Sequence, residues 1–225
     1  MQVQAKPYPE PGSVDADWAV RRMSATDLDT ARGMFFLGVL ETVRTGVGEE
    51  ALANCRAVTE DRRFVGFFNY PVATFLKLSQ VAARVLSPRW GGFDEALRQM
   101  GMQATRSFLE SAVGRTFLLL AAGDPRKLVT NLPSGYQMAV SYGERTVDWK
   151  GDGDALLTMR RDFMPPAYHE GVLREVLTMV GARNPRVQGR KLGLLDTEYR
   201  ISWEAPVVLA ADPEPPRAPR WRLFQ

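Results

Sequence analysis

Cysteine and histidine are nearly absent from this chain of 225 residues: Cys55 and His169 are the only ones. One cysteine excludes an intrachain disulfide and any cysteine-based zinc cluster. One histidine excludes multi-histidine metal sites, and it limits Ser-His-Asp or Cys-His catalysis to arrangements built on His169. Long apolar runs are missing too. The strongest, Thr116 to Gly123, is far too short to span a bilayer, and the N-terminus lacks the basic-then-apolar order of a signal peptide, so a cytoplasmic protein is expected. There is no GxxxxGK[ST] phosphate loop. Charge of one sign is also scarce: the formal net charge is +3, with basic residues spread along the chain, and nothing calls for nucleic acid.

What remains is the composition of a folded protein, 45% apolar and 24% charged. The most ordered signal runs from Tyr136 to Glu204 and reads as hairpin, helix, hairpin. Tyr136 to Trp149 and Ala155 to Asp162 flank Gly151-Asp152-Gly153-Asp154, whose glycines suit a tight reversal. Pro165 and Pro166 then open a helix, with Val172, Leu173, Val176, Leu177 and Val180 on one face. Thr197, Tyr199, Ile201 and Trp203 alternate with Glu198, Arg200, Ser202 and Glu204, the pattern of a strand with one face buried.

The earlier part of the chain reads as helical. Residues 1 to 23, with Pro7, Pro9 and Pro11, predict an irregular lead. Ser24 and Asp27 suggest a capping box for a helix running to about Arg44. Helices are also predicted for Glu49 to Val58, after Pro71, from Phe93 to Met100, from Gln103 to Ala122 with an interruption at Gly114, and from Arg126 to Leu132. Residues 205 to 225 form a proline-rich tail ending in Trp221, Leu223 and Phe224 among arginines. The expectation is an α+β protein: a helical part over 24–133, a four-stranded antiparallel sheet over 136–204, both in one domain, with the lead and tail outside it.

Several segments carry a resemblance. Arg32-Gly33-Met34-Phe35-Phe36-Leu37-Gly38, Asn69-Tyr70-Pro71, Arg106 to Arg115, Tyr168-His169-Glu170-Gly171-Val172-Leu173 and Tyr199-Arg200-Ile201-Ser202-Trp203 resemble a paralogous family of myxobacterial domains of unknown function. In layout the chain is similar to the haem nitric-oxide/oxygen-binding (H-NOX) domains, the vinyl-reductase-like sensory domains and the transport-particle (TRAPP-like) subunits. Haem-binding members of that group use a histidine on the helix before the first strand and a Tyr-x-Ser-x-Arg motif. Leu128 to Tyr142 contains no histidine, and Thr158-Met159-Arg160-Arg161-Asp162 does not supply the motif. The resemblance therefore implies the fold without haem bound in that manner. The zinc-bound sensory relatives need several cysteines, which are missing here.

Candidate sites are few. Phe35, Phe36, Phe67, Tyr70 and Phe75 form an aromatic group that either packs a core or lines a pocket for a small apolar ligand. Trp221 and Phe224 are candidates for contact with a protein partner. His169, beside Glu170 near a helix start, is the one available general base, with no partner groups evident. Asp148, Asp152 and Asp154 lack the loop length and bidentate glutamate of a calcium site and read as a solvated turn. Cys55 reads as a small buried hydrophobe, with lipid attachment, known among the transport-particle relatives, as the rival. The expectation is a non-enzymatic module that regulates through a protein partner, or else senses a small apolar ligand, without cofactor or metal; a homodimer is left open.

Overall fold

The computed structural model describes residues 13–204. Its first element is a helix, α1 (Val14–Met23), capped by the Ser13 hydroxyl, which accepts from the Ala16 amide, with Asp15 and Asp17 in the first turn and Arg21 and Arg22 in the last. This corrects the expected irregular lead: the prolines all precede Ser13, and the Ser13 cap with charges matched to the helix dipole starts a helix directly after them. The helix is held by Trp18, buried edge-on against Phe93, and by Arg21, whose guanidinium donates to the carbonyls of Phe163 and Met164. Ser24 is therefore the C-cap of α1, not the start of the next helix.

Residues 26–29 form a turn in which the Asp29 carboxylate accepts from the amide and hydroxyl of Thr26. It feeds β1 (Thr30–Arg32), which pairs antiparallel with β2 (Asn69–Pro71). Each strand leads straight into a helix, α2 (Gly33–Val47) and α4 (Val72–Trp90), so this small ribbon sets the two helices side by side; α3 (Glu49–Ala57) lies between them in the chain. Gly33 has no room for a side chain, because a Cβ there would overlap the Val65 carbonyl oxygen.

Pro88 lies inside α4, which ends at Gly91 in the left-handed conformation; α5 (Phe93–Glu110) starts after Gly92 and runs unbroken through Gly101. The break comes at Ser111, whose hydroxyl accepts from the Gly114 amide and starts α6 (Ala112–Ala121). Asp124 caps α7 (Pro125–Ala139), as expected, but the helix continues past Pro133 and takes in Tyr136, which the hydrophobic pattern had placed in the first strand.

The sheet follows: β3 (Glu144–Gly151), β4 (Asp154–Arg160), α8 (Pro166–Met179), β5 (Arg183–Lys191) and β6 (Thr197–Glu204). Its strand order is β3-β4-β6-β5, every neighbouring pair antiparallel. Inward residues Ala155, Leu157, Met159, Tyr199 and Ile201 pack with apolar side chains of α6, α7 and α8. The other face is polar, crossed by ion pairs such as Arg190–Glu198 and Arg200–Asp154.

Two apolar cores result. One fills the helical half around Phe36, Leu76, Leu86 and Leu97; the other lies between the sheet and its helices. They meet where α5 crosses α8. There the two backbones touch through glycine: a Cβ on Gly101 would overlap the Tyr168 carbonyl oxygen, and one on Gly171 would overlap that of Arg98. Arg98–Glu170 at 2.8 Å and Arg106–Glu175 at 2.6 Å flank the crossing.

Candidate ligand-binding cavity

A cavity of about 90 Å³ lies between the two cores. Its wall is apolar over most of its extent, with Phe35 and Phe75 from the helical half and Phe108, Phe117 and Leu132 from α5, α6 and α7. One part of the wall is polar, made of Tyr136, Arg145, Asp162 and His169. These four come from α7, β3, the loop after β4, and α8, and they form one connected network.

Asp162 is its centre. Its Oδ1 lies 2.8 Å from His169 Nε2 and accepts from the Met164 amide at 3.0 Å; its Oδ2 is paired with Arg145 Nη2. Burial alone would raise this carboxyl, but His169, Arg145 and the Met164 amide outweigh it and hold the group well below the usual carboxylate range. Facing an ionised carboxylate, Nε2 of His169 is the donor. The other ring nitrogen, Nδ1, lies 3.0 Å from the Tyr136 hydroxyl, so both nitrogens are engaged. Burial, reinforced by the charge of Asp162, pushes the Tyr136 phenol well above its ordinary value, so the hydroxyl stays protonated. Arg145 also donates to the Tyr142 carbonyl and lies over the Tyr136 ring, 4.8 Å from its centroid. A buried charge pair leaving few lone pairs free is the condition under which such a pair is tolerated in a core.

The five aromatic residues singled out from the sequence separate in space. Phe35 and Phe75 are on the cavity wall. Phe36 is wholly buried in the helical core, its ring centroid 4.4 Å from that of Phe64 and 5.0 Å from that of Phe75. Tyr70 packs on the same cluster, and its hydroxyl accepts from the Val65 amide at 2.8 Å. Phe67 is 67% exposed and away from the cavity, because it falls in the turn before β2, where its ring meets that of Phe68 edge-on. Trp221 and Phe224 lie outside the described residues. His169 does have partners, contrary to the sequence reading: Tyr136, Arg145 and Asp162 carry no mutual spacing signal and converge only through the fold. Cys55 is fully buried, and burial pushes its thiol up to about 11. Asp154 is paired with Arg200 and Asp152 with Arg126, and among the described residues no group of carboxylates, histidine and cysteine is arranged to hold a metal ion. No helix among them is long and apolar enough to cross a membrane.

This helical half joined to a hairpin-helix-hairpin sheet is the H-NOX-like α+β fold. An H-NOX protein from K. algicida, solved as Fe(II) without ligand, is 15% identical, with a TM-score of 0.60 over 80% of this chain and 100% of that one. An H-NOX protein from S. oneidensis in the Fe(II)NO state is 12% identical, with a TM-score of 0.60 over 77% of this chain and 99% of that one. The Cs H-NOX protein carrying 4-cyano-L-phenylalanine is 13% identical, with a TM-score of 0.61 over 78% and 98%. At these identities the likeness is one of fold. In sequence, residues 24–204 match the family described as "Protein of unknown function (DUF2378)", and the chain belongs to that family. No functionally curated protein matches it in sequence.

Proposed function

We propose that this chain is a haem-free, non-enzymatic sensory module that admits a small, mainly apolar molecule to the cavity between its two halves. The observation that carries the reading is the cavity itself: an apolar space at the junction of two cores, with one polar wall held in place by a buried network. A space lined by apolar groups with a few convergent polar ones is what small-molecule sites have in common. Its position also favours sensing, because whatever fills it touches elements of both halves.

Haem, which the H-NOX relatives bring to mind, does not fit the residues present. The single histidine has both ring nitrogens engaged, one with Asp162 and one with Tyr136, leaving no free nitrogen for an axial bond. The space of about 90 Å³ is also well short of the roughly 300–1,000 Å³ typical of sites for drug-sized ligands. The same saturation of His169 supports a non-enzymatic role, since a general base needs a lone pair facing its substrate.

The test is uptake by purified protein. Thermal unfolding under xenon and under small hydrocarbons should show a dose-dependent rise in melting temperature, because a ligand that binds only the folded state stabilises it. Native mass spectrometry after purification should give the bare chain or the chain plus a small adduct, with no Soret absorption even after incubation with haemin. No thermal shift with any probe would overturn the ligand reading. A Soret band with stoichiometric haem would overturn the haem-free one.

A further inference from the structure

Gly135 on α7 and Phe117 on α6 both line the cavity. A Cβ on Gly135 would stand 2.9 Å from the Phe117 ring, so the ring lies flush against the α7 backbone, where any side chain would hold it off. The other phenylalanines of the wall are held by rings: Phe35 by Phe75 and Phe108, and Phe75 in turn by Phe36 and Tyr168. Phe117 rests on a glycine. Gly135 sits inside α7 although glycine is a poor helix former, and what its missing side chain provides there is room for this ring. Phe117 belongs to the close-packed core between helices and sheet, so a ring pushed off Gly135 finds its space on the cavity side.

Resting on the sensory reading above, we propose that Phe117, seated on Gly135, is the residue that sets which molecules the cavity takes: hydrocarbons and similarly apolar molecules smaller than benzene. The limit follows from volume. A cavity of roughly 150 Å³ admits one benzene, so about 90 Å³ takes a smaller molecule. Xenon and propane fall below that limit and benzene lies above it. The Phe117 ring holds the limit where it is, since the wall closes further if the ring moves off α7.

Gly135→Ala is the decisive variant, because it favours the helix and sets a methyl group against the Phe117 ring. Xenon and propane should raise the melting temperature of the intact protein, and benzene should not. Gly135→Ala should abolish both rises while keeping the circular dichroism of the folded chain. Phe117→Leu has a shorter side chain with room for the added methyl, so in that background Gly135→Ala should leave xenon binding in place. Xenon should also shift the Phe117 ring resonances of the intact protein, a readout that decides if a variant does not fold. Equal xenon binding with and without the added methyl, or unmoved Phe117 resonances in xenon-saturated protein, would overturn the assignment of Phe117 and leave the sensory reading standing. Loss of xenon binding on Gly135→Ala in the Phe117→Leu background would overturn that assignment too, since the methyl would then act by another route. A benzene rise as large as that of propane would overturn the size limit. No rise with xenon or any hydrocarbon in the intact protein would overturn both readings.

Discussion

His169 Nε2 and Asp162 Oδ1 stand 2.8 Å apart in the interior, one on α8 and the other in the loop that ends β4. The contact joins the helix to the sheet, and the Tyr136 hydroxyl extends it to α7. Removing either end of this chain is expected to have different consequences.

Tyr136→Phe keeps the ring under Arg145 and removes one hydrogen bond, so it should cost about 1 kcal/mol. His169→Phe strips the buried Asp162 carboxylate of a donor and should cost about 3 kcal/mol or more. Urea unfolding monitored by circular dichroism checks both. The double variant should cost less than the sum, since the two residues share one bond.

Acid should weaken the protein through two carboxylates. Asp162 is held below its unfolded value; Asp29 is lowered to about 2 by hydrogen bonding to Arg161, against the opposing effect of burial, with further help from Thr26. A group with a depressed folded pKa stabilises above its unfolded pKa and loses that contribution as pH falls. On the order of 2–3 kcal/mol should therefore be lost between about pH 4 and pH 2. Asp29→Asn should flatten the upper part of that fall when unfolding free energy is measured against pH.

Gly101→Ala puts a methyl group where the Tyr168 carbonyl stands, and the crossing helices have to separate. Overpacking of this kind costs roughly 1–3 kcal/mol, occasionally more. Gly91→Ala tests the other glycine penalty, a positive φ of 79° in open space, and should cost no more than about 1 kcal/mol. Melting temperatures of the two variants side by side should rank them in that order.

Cys55 should be inert in the folded protein. Its thiol, pushed up to about 11 and fully buried, offers almost no thiolate at neutral pH. Labelling by a disulfide reagent should be slow in buffer, fast in denaturant, and limited in buffer by the rate at which the chain opens.

Local pattern was enough for elements that obey their own periodicity. The alternation of β6 puts Thr197, Tyr199 and Ile201 inside, as the sequence implies, and the Asp124-Pro125 start of α7 is where its residues place it. Helix interruptions were misplaced where glycine serves a neighbour: Gly101 and Gly114 look like breaks, but each lies where a carbonyl leaves no space for a side chain. The cavity was half legible. Phe35 and Phe75 stand out as aromatics on helices, whereas Arg145 and Asp162 look like ordinary charged residues of a hairpin. They become a buried pair because neighbouring strands place both near the same edge of the core, and no spacing along the chain records that.

The paired glycines of α5 and α8 also act as an alignment key. Sliding α8 by one turn along α5 would bring Ala167 or Glu175 opposite the Arg98 carbonyl, and either side chain collides there. The same slip would carry His169 about 5.4 Å along the helix axis, out of reach of Asp162. Steric exclusion at one place and a hydrogen bond at another therefore select the same alignment. A chain that docks the two helices one turn out of step meets a clash and a stranded carboxylate together, so near-native misassembly is penalised twice.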